Sequence, residues 1–381
     1  MTGGPLKLLH VIHTLDPAGG GAVNAARSMC AALAARGHEV SLYATGPQAV
    51  DQQGAYRTRI FPMEFGPMAV SAGLMRALRE TAELDLVHIH MLYRFPQSAA
   101  AFVSRRSAVP YCVQPHGALE PVLYHKRERR SAKRLYEKLV ENRNLNNAAG
   151  LIYTAEGEKQ AVDFLKLRAP AFVVPLGIDL PQVEPVRGLF RQSRGLEDKE
   201  LIVWMGRLVP VKGLDILVRA FARLARVRPS AVLVLIGPDT GNLADGLRGL
   251  MAELGLAPGR VIFTGMLQGE EKQRALKDAD VFVLPSHTEN FALAAVEAMA
   301  LGCPAIVSQG VKTAPDIAAA GAGLVVAMDA AALETAMDRM LDDGAMRAGM
   351  SEAARRFARG FGWPMVIERL EQAYRAMIRW P

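Results

Sequence analysis

Short apolar runs alternate along the chain with longer runs whose apolar residues recur at helical spacing, and glycine or proline separates most of them. Residues 7–14 are mostly apolar, residues 22–36 carry apolar side chains at helical positions, and residues 39–44 are apolar again. A buried strand, a helix and a second buried strand are typical of a βαβ unit in a parallel sheet. The pattern therefore predicts an α/β fold at this end of the chain.

The second half of the chain repeats this order of elements. A predicted strand at 201–205 precedes a loop at 206–213, a helix at Leu214–Val227 and a strand at Ala231–Ile236. Two Rossmann-like domains that face each other across a cleft account for the repeat. Further strands are predicted at Leu86–His90, Tyr111–Gln114, 150–154, 261–263, Val281–Leu284, 305–307 and 324–326.

The boundary between the two domains is indicated by proline. Residues 173–185 contain three prolines and mark the way into an interdomain linker. We therefore predict an N-terminal domain at 1–182 and a C-terminal domain at 183–362. Residues 363–381 carry an apolar stripe at helical spacing, and we expect this helix to pack back on the N-terminal domain.

Two glutamates lie eight positions apart in a predicted strand–loop–helix–strand unit at 284–308, with Glu289 in the loop and Glu297 in the predicted helix, 291–301. The backbone N–H groups of Asn290, Phe291 and Ala292 would be unpaired at the start of that helix, where phosphates or sugar oxygens bind. Because two carboxylates repel a phosphate, they suit sugar or ribose hydroxyls. The alternative is a loose helix cap and a surface glutamate.

A second candidate cluster lies in the loop at 206–213. Arg207 offers a planar fork of donors and Lys212 a compact cation, both at the carboxyl end of a predicted strand. Together they could neutralise a diphosphate as it leaves. The alternative is that both are ordinary surface charges.

His116 follows a predicted strand at the edge where open α/β sheets bind ligands, and it is either structural or functional. His88 and His90 alternate along another predicted strand, and we favour packing roles for them. The spacing of these three histidines gives no positive support for a metal site. Asp278 and Asp280 have the spacing of a DxD metal motif, but they precede a strand and so lie at the opposite edge. No metal site is predicted there.

Three glycines, Gly19, Gly20 and Gly21, follow the first predicted strand. Successive glycines allow a backbone to approach a phosphate closely. The loop is not a GxGxxG motif, and no acidic residue stands at the end of the second strand. A nicotinamide-dependent oxidoreductase is therefore not supported.

Composition narrows the class of protein. The chain has 381 residues, half of them apolar and 22% charged, which suits two well-packed domains. No uncharged apolar run approaches the roughly 18–20 residues that a membrane helix needs. The three cysteines are scattered, without metal-ligand spacing, so we expect a reducing compartment, the cytoplasm.

Positive charge is concentrated in residues 126–143, which hold eight basic and three acidic residues and so carry +5 of the formal net charge of +7. We predict a helix with Leu135 and Leu139 on one side. The segment is either a solvated helix face or a contact for an anionic membrane surface. Nucleic acid is a poorer fit, because aromatic residues are sparse around the basic cluster.

Taken in order, these motifs resemble family 4 of the retaining glycosyltransferases, which have the GT-B fold. The resemblance covers nearly the whole chain, and the PHGALEP stretch before the basic segment is similar to bacterial members that build exopolysaccharide, capsule or O-antigen. Its motifs are residues 19–21, 37–40 (GHEV), 115–121 (PHGALEP), 206–207 (GR), 212–213 (KG), 285–291 (PSHTENF) and 297–299 (EAM).

The resemblance implies a retaining transfer from a nucleotide-sugar to a saccharide acceptor, lipid-linked at the inner membrane face, with no metal or other cofactor. Arg207 and Lys212 would bind the diphosphate of the donor and stabilise it as the leaving group. Glu297 would hold the ribose. Glu289, with the N–H groups of residues 290–292, would hold the donor sugar.

The resemblance also assigns the remaining site residues. Gly20 and Gly21 would let backbone amides reach the phosphate, and His116 would lie beside the reacting carbon and the acceptor. The base would bind near Gly265, Met266 and Leu267. The sequence departs from the family at two positions, where Ala292 replaces a glycine and Leu176 replaces an asparagine.

Two other functions use the same fold. A nucleotide-sugar epimerase needs no acceptor, and the Arg207 and Lys212 cations together with the two glutamates favour transfer over epimerisation. A scaffold protein that had lost catalysis would show a broken site residue, and none of these residues is missing.

Overall fold

The structure, a computed structural model, describes residues 4–16, 20–81, 83–121, 124 and 135–379. The chain divides into two compact units. One comprises Met1–Gly177 with Trp363–Pro381, and the other comprises Ile178–Gly362. The predicted boundary after residue 182 falls in the loop that follows Ile178. Two α/β units with Rossmann-like sheets confirm the predicted fold class.

The first unit is built on an eight-stranded sheet in the order β3-β4-β2-β1-β5-β6-β7-β8. All neighbours are parallel except β3 and β4, which form an antiparallel hairpin at one edge. The strands are β1 Lys7–Val11, β2 Glu39–Gly46, β3 Val50–Gln53, β4 Arg57–Pro62, β5 Leu86–His90, β6 Tyr111–Gln114, β7 Gly150–Tyr153 and β8 Ala171–Val173.

Three strands of this sheet, β3, β4 and β8, are absent from the sequence prediction. Strands β3 and β8 form the two edges of the sheet and β4 lies next to β3. All three are largely exposed or half-buried, so they lack the apolar runs on which the prediction relied. Strand β8 ends at Val173, the first residue of the stretch that we interpreted as the way into a linker, and the first unit ends within that stretch, at Gly177.

Helices cover the sheet of the first unit, and one of them comes from the far end of the chain. The helices are α1 Gly21–Ala35, α2 Ala72–Glu80, α3 Phe95–Arg106, α4 Asn142–Asn146, α5 Glu156–Ala161 and the C-terminal helix α14 Trp363–Ile378, with 3₁₀ turns at Gly66–Met68 and Asp163–Leu165 and a π-helical turn at Glu137–Glu141.

Helix α14 packs on the first unit, as predicted from its apolar stripe. Fully burying a large apolar side chain stabilises a fold by about 1.5–3 kcal/mol, so the stripe contributes substantially to this core. The shared cluster includes Ile367, Leu370, Tyr374 and Met377 from α14, Leu8 from β1, and Met29 and Leu33 from α1.

The second unit is built on six parallel strands in the order β11-β10-β9-β12-β13-β14. The strands are β9 Glu200–Met205, β10 Ala231–Ile236, β11 Val261–Gly265, β12 Val281–Leu284, β13 Ala305–Ser308 and β14 Gly323–Val326. The helices are α6 Leu189–Arg194, α7 Leu214–Val227, α8 Leu243–Glu253, α9 Gly269–Asp278, α10 Leu293–Ala300, α11 Ala314–Ala319, α12 Ala330–Asp342 and α13 Gly344–Arg359, with a 3₁₀ turn at Pro210–Lys212.

Strand order reverses once in each unit. In the second unit the reversal lies between β9 and β12, and in the first it lies between β1 and β5. Loops at the carboxyl ends of such strands diverge and leave a crevice, which is where open α/β sheets bind ligands. The predicted site residues follow β1, β6, β9, β11 and β12.

The basic segment is only partly described, because residues 126–134 lie outside the described residues. From Leu135 onward the chain is helical, and Leu135 and Leu139 are 59% and 61% exposed. Glu137 and Glu141, two of its acidic residues, are instead buried and accept hydrogen bonds from Tyr93. This stretch is therefore not a uniformly solvated helix face.

In the part of the chain that the structure describes, no helix combines the length and the apolar character required to cross a lipid bilayer.

Gly213 and Gly255 both have left-handed backbones, with φ of 64° and 71°. A Cβ at Gly213 would lie 2.1 Å from the carbonyl oxygen of Pro285, whereas one at Gly255 would meet no atom within 4 Å.

We expect Gly213→Ala to lower the free energy of unfolding of the second unit by about 3 kcal/mol or more, because the backbone strain and the backbone clash add together. Gly255→Ala, which adds strain alone, should cost about 1 kcal/mol. Denaturant unfolding of both variants checks this, and equal losses would contradict it.

Candidate functional site

Two loops of the second unit meet where its strand order reverses. The first, residues 206–213, follows β9, and the second, residues 285–292, follows β12. Their backbones are in direct contact: the N–H of His287 donates to the carbonyl of Val211 over 2.8 Å. The absence of a side chain at Gly213 allows the second close approach, to Pro285. These backbone contacts fix the side chains that the two loops carry.

The structure brings two of the predicted site residues together here. Lys212 Nζ donates a hydrogen bond to Oε2 of Glu289, and the two side chains are 21% and 22% exposed. Arg207, in the same loop as Lys212, is exposed, and no ion pair to it is found among the described residues. The loop therefore presents one paired and one unpaired cation at the carboxyl end of β9.

Glu297 lies on α10 with a partner that the sequence analysis missed. Its Oε2 atom lies 3.0 Å from Nζ of Lys272, on the neighbouring helix α9, and both side chains are half-buried. The two residues are 25 positions apart. No local motif connects residues on two different helices, so only the packing of α9 against α10 reveals the pair.

The start of α10 differs from the prediction. The helix begins at Leu293 rather than at residue 291, so the N–H groups of Asn290, Phe291 and Ala292 belong to the preceding loop. Ala292 caps the helix in a left-handed conformation, with φ of 59°. Glycine adopts this backbone without strain, whereas the alanine found here does not.

A third loop, residues 308–313, anchors the loop that carries Glu289. The N–H of Glu289 donates to the carbonyl of Gly310 over 3.1 Å, and the N–H of Lys312 donates back to the carbonyl of Glu289 over 2.8 Å. Thr313 Oγ1 donates to the carbonyl of Phe291 over 3.1 Å. The sequence analysis missed this support. The contacts join segments about twenty residues apart, and most of them use backbone atoms, which every residue type has.

The predicted base-binding residues lie at the end of β11. Gly265 has a left-handed backbone, with φ of 71°. Met266 is 59% exposed and Leu267 is buried. An exposed, flexible thioether beside a turn is suited to contact with a flat apolar ring.

In the first unit, the glycine loop leads directly into α1. Gly20 is the N-cap residue, with φ of 71° and ψ of −143°, a conformation that glycine adopts readily. Gly21 is the first residue of the helix, and a Cβ there would meet no atom within 4 Å. Gly19 lies outside the described residues. The space beside the Gly21 backbone is therefore open.

His116 follows β6 in a left-handed conformation, with φ of 49°. Non-glycine residues with positive φ are uncommon and concentrate at functional sites. Burial lowers the pKa of His116 to about 4, so its ring is neutral at pH 7. The next residue, Gly117, donates its N–H to the buried carboxylate of Glu158 over 3.1 Å, which fixes the turn.

His116 is not isolated. Its Nε2 atom lies 3.0 Å from Nδ1 of His90, and Nε2 of His90 lies 2.9 Å from Nδ1 of His10. His88 and His90 are fully buried, in line with packing roles, and His10 joins them from β1. His10 was not among the predicted residues, because it contacts His90 from 80 positions away.

Comparison with known proteins identifies the family. A model of the glycosyl transferase 4-like domain matches residues 20–177, and a model of glycosyl transferases group 1 matches residues 186–357. The D-inositol 3-phosphate glycosyltransferase of Kineococcus radiotolerans is 31% identical over 334 residues, which cover 82% of this chain and 76% of that protein. The chain is a family 4 glycosyltransferase.

Solved structures agree with this assignment. Sucrose-phosphate synthase from Thermosynechococcus elongatus matches this glycosyltransferase with a TM-score of 0.79 and 25% identity, over 97% of this chain and 98% of that one. Anabaena HepE, solved in complex with UDP and glucose, matches with a TM-score of 0.76 and 18% identity, over 96% and 98% of the two chains. These likenesses confirm the GT-B fold.

The DxD pair of the glycosyltransferase has structural partners. Asp278 accepts hydrogen bonds from the N–H groups of Gly188 and Arg191, at 2.5 and 2.9 Å, and Asp280 forms an ion pair with Arg191 at 2.8 Å. These contacts anchor the start of α6. A cavity of about 350 Å³ lies beside them, at the amino ends of β9 and β12, and none of the predicted site residues lines it.

The ion pair between Lys212 and Glu289 makes a testable prediction about anion binding. Glu289→Gln keeps the size of the side chain but removes the charge that Lys212 faces. Because exposed and half-buried pairs are worth roughly 0.5–1 kcal/mol, we expect inorganic diphosphate to bind about two- to fivefold more tightly. Isothermal titration calorimetry at low salt measures this. The exposed Glu253→Gln is the matched control, and an equal gain in both variants would assign the effect to net charge alone.

Proposed function

We propose that this glycosyltransferase moves a sugar from a nucleotide-sugar to a saccharide acceptor, with retention of anomeric configuration and without a metal ion. The observation that carries the proposal is the juxtaposition of Lys212 and Glu289 at the reversal of strand order in the second unit. One side chain suits a phosphate and the other suits a hydroxyl, and a nucleotide-sugar offers both groups next to each other.

The diphosphate is assigned to Arg207 and Lys212. Departure of a nucleoside diphosphate leaves negative charge on its phosphate oxygens, and cations already in place stabilise that charge. Arg207 is exposed and free to bind, whereas Lys212 exchanges part of its contact with Glu289 for the phosphate. The acceptor hydroxyl oxygen bonds to the anomeric carbon, the carbon–phosphate oxygen bond breaks, and the hydroxyl proton passes to the leaving phosphate on the same face.

Hydroxyl groups of the donor are assigned to the two glutamates. Glu297 accepts hydrogen bonds from the ribose, and Lys272 holds the carboxylate in position. Glu289 accepts hydrogen bonds from the transferred sugar, and its backbone is anchored on both sides by residues 310 and 312. The base is assigned to Met266 and Leu267. Anabaena HepE, a protein of the same fold, was solved with UDP-glucose, which supports uridine as the first base to test.

The first unit is assigned to the acceptor, with His116 beside the reacting sugar and the backbone at Gly20 and Gly21 toward the phosphate. We propose an acceptor linked to a polyprenyl lipid, as in exopolysaccharide, capsule or O-antigen synthesis at the inner face of the membrane. Its support is the basic segment and two leucines within it, Leu135 and Leu139, which are exposed one helical turn apart. Curated relatives are instead named for D-inositol 3-phosphate, a small anionic acceptor.

Donor binding is tested by thermal shift with UDP-, GDP-, ADP- and TDP-sugars in the presence of EDTA. A ligand at one hundred times its Kd adds about 2.7 kcal/mol to the folded state, which corresponds to a shift of several degrees. We expect a shift with one base, abolished in Glu297→Ala and retained in the control Glu253→Ala. A shift that appears only when a divalent metal replaces EDTA would contradict the metal-free mechanism, and no shift at all would contradict the donor assignment.

The acceptor is tested by transfer to a polyprenyl-diphosphate-linked saccharide and, separately, to D-inositol 3-phosphate. We expect transfer to the lipid-linked saccharide, with an anomeric proton coupling in the product that matches that of the donor. Transfer only to the inositol phosphate would contradict the lipid-linked acceptor. An inverted product would contradict retention.

Membrane association is tested by sedimentation with liposomes that contain anionic lipid. We expect salt-sensitive binding that weakens about thirtyfold when Leu135 and Leu139 are both replaced by serine, because each leucine loses roughly 1 kcal/mol of apolar burial. Val183, which is 82% exposed in the second unit, gives the control Val183→Ser. Absence of binding to anionic liposomes, or equal weakening by the control, would overturn the assignment.

A further inference from the structure

A chain of three histidines runs from the edge of the first unit into its core. His116 follows β6, His90 ends β5 and His10 lies on β1, and these strands are neighbours in the sheet. The nitrogen–nitrogen distances are 3.0 Å from His116 to His90 and 2.9 Å from His90 to His10, both within hydrogen-bond range. His10 and His90 are completely buried, so water does not compete for these bonds.

Neutral imidazole has one nitrogen that donates and one that accepts. His90 uses both nitrogens in the chain, so its two hydrogen bonds must run in the same direction. If His10 donates to His90, then His90 donates to Nε2 of His116, and the proton of His116 is on Nδ1. If the direction is reversed, the proton of His116 is on Nε2. The chain therefore has two arrangements, and each sets the tautomer of His116.

The inner end of the chain decides between the two arrangements. Nε2 of His10 is buried and has no hydrogen-bond partner among the described residues. In the reversed arrangement this atom would carry an unpaired N–H, and buried N–H groups without a partner are rarer than acceptors without one. A bare lone pair there is the less costly arrangement. The proton of His116 then lies on Nδ1, for which no hydrogen-bond partner is found in the part of the chain that the structure describes.

We infer that His90 and His10 are positioning residues that hold His116 as the Nδ1–H tautomer, so that it presents a hydrogen-bond donor to the reacting sugar or its phosphate. The inference rests on the proposed function for the contact of His116 with the donor sugar. A donor at this place stabilises developing negative charge on an oxygen but cannot remove the proton of the acceptor hydroxyl. The leaving phosphate accepts that proton instead.

The charge state of the cluster agrees with this geometry. Burial lowers the pKa of His10 to about 3 and that of His116 to about 4, and it holds the pKa of His90 well below the usual range. Each ring is therefore neutral at pH 7, because the pH lies above all these values. The two arrangements of the histidine chain therefore contain the same number of protons and differ only in which nitrogen of each ring carries one.

A metal ion is the competing interpretation of this cluster. Ligand nitrogens of His10, His88 and His90 lie within 4.8 Å of one another. The rings of His88 and His90, however, stack at 4.1 Å with an interplanar angle of 12°. Lone pairs lie in the ring plane, so those of stacked rings run parallel and do not point to one ion. His90 also has both nitrogens engaged, which favours hydrogen bonding over coordination.

The tautomer is measured directly by NMR on the full chain with ¹⁵N-labelled histidine, without substrate. The sequence has eight histidines, and His116→Gln assigns the signals of His116. We expect the long-range coupling pattern of the Nδ1–H form in the wild type, and a mixture of both forms in His90→Phe. The Nε2–H form in the wild type would overturn the inference, as would an unchanged pattern in His90→Phe.

Activity separates positioning from packing. We expect His90→Phe to lower kcat by about tenfold or more with KM for the donor changed less than twofold, as is typical when the partner that orients a functional histidine is lost. His90→Gln, which still accepts with its carbonyl and donates with its amide, should recover most of the loss. The control is His88→Phe, since His88 is equally buried and stacks on His90 but lies outside the hydrogen-bonded chain. An equal loss in His88→Phe, or no recovery by glutamine, would show a packing role only.

The two measurements distinguish failure of this inference from failure of the proposed function. The NMR pattern requires no substrate, so an Nδ1–H form that depends on His90 supports the positioning role even if no transfer is detected. Transfer with full activity in His90→Phe would leave the proposed function standing and overturn the inference.

Discussion

The close approach of two backbones, at Gly213 and Pro285, is the constraint on which the candidate site of the second unit depends. It is possible only because one of the two residues has no side chain and takes a left-handed conformation. Lys212 immediately precedes the contact, and Glu289 lies four residues beyond it. The ion pair between these side chains is thus a consequence of where the backbone is held, and the sheet order that places β9 beside β12 holds it there.

The two units use different electrostatics for their candidate residues. Lys212, Glu289, Lys272 and Glu297 are half-buried and form two ion pairs that remain partly in contact with solvent. The histidines of the first unit lie deeper, where a charge without a counter-ion is costly, and burial keeps them neutral. Charge can attract a phosphate from a distance, whereas a neutral imidazole of fixed tautomer acts only at contact. The proposed function therefore assigns attraction of the phosphate to the second unit and alignment of a hydrogen bond to the first.

The secondary-structure elements that short-range sequence patterns define were predicted correctly. Helix α7 and strands β5, β6, β10 and β12 have the predicted bounds, because strong apolar runs between glycine or proline define them. Strands β3, β4 and β8, at or next to the edges of the sheet, were missed, since exposed and half-buried strands lack that pattern. The predicted start of α10 was two residues too early, because the amino-acid sequence does not show that Ala292 takes a left-handed conformation.

For the candidate sites, residue types after the carboxyl ends of strands made Lys212, Glu289 and His116 candidates, and the spacing from Glu289 added Glu297 on the following helix. Their partners were not predictable in the same way. Lys272 and His10 are distant in sequence from the residues they contact and belong to no motif. Only the packing of helices and the register of neighbouring strands bring them into place.

Helix α14 has a consequence for the order in which the protein is made. Its residues belong to the core of the first unit, where Tyr374 lies 2.6 Å from Nδ1 of His88, yet they follow the whole second unit along the chain. On the ribosome, the contiguous residues 178–362 can finish folding first. The earlier-made unit must wait with its apolar face uncovered until the helix emerges. Of the two units, the one synthesised earlier is therefore completed later, and its apolar face is the one that stays exposed in the meantime.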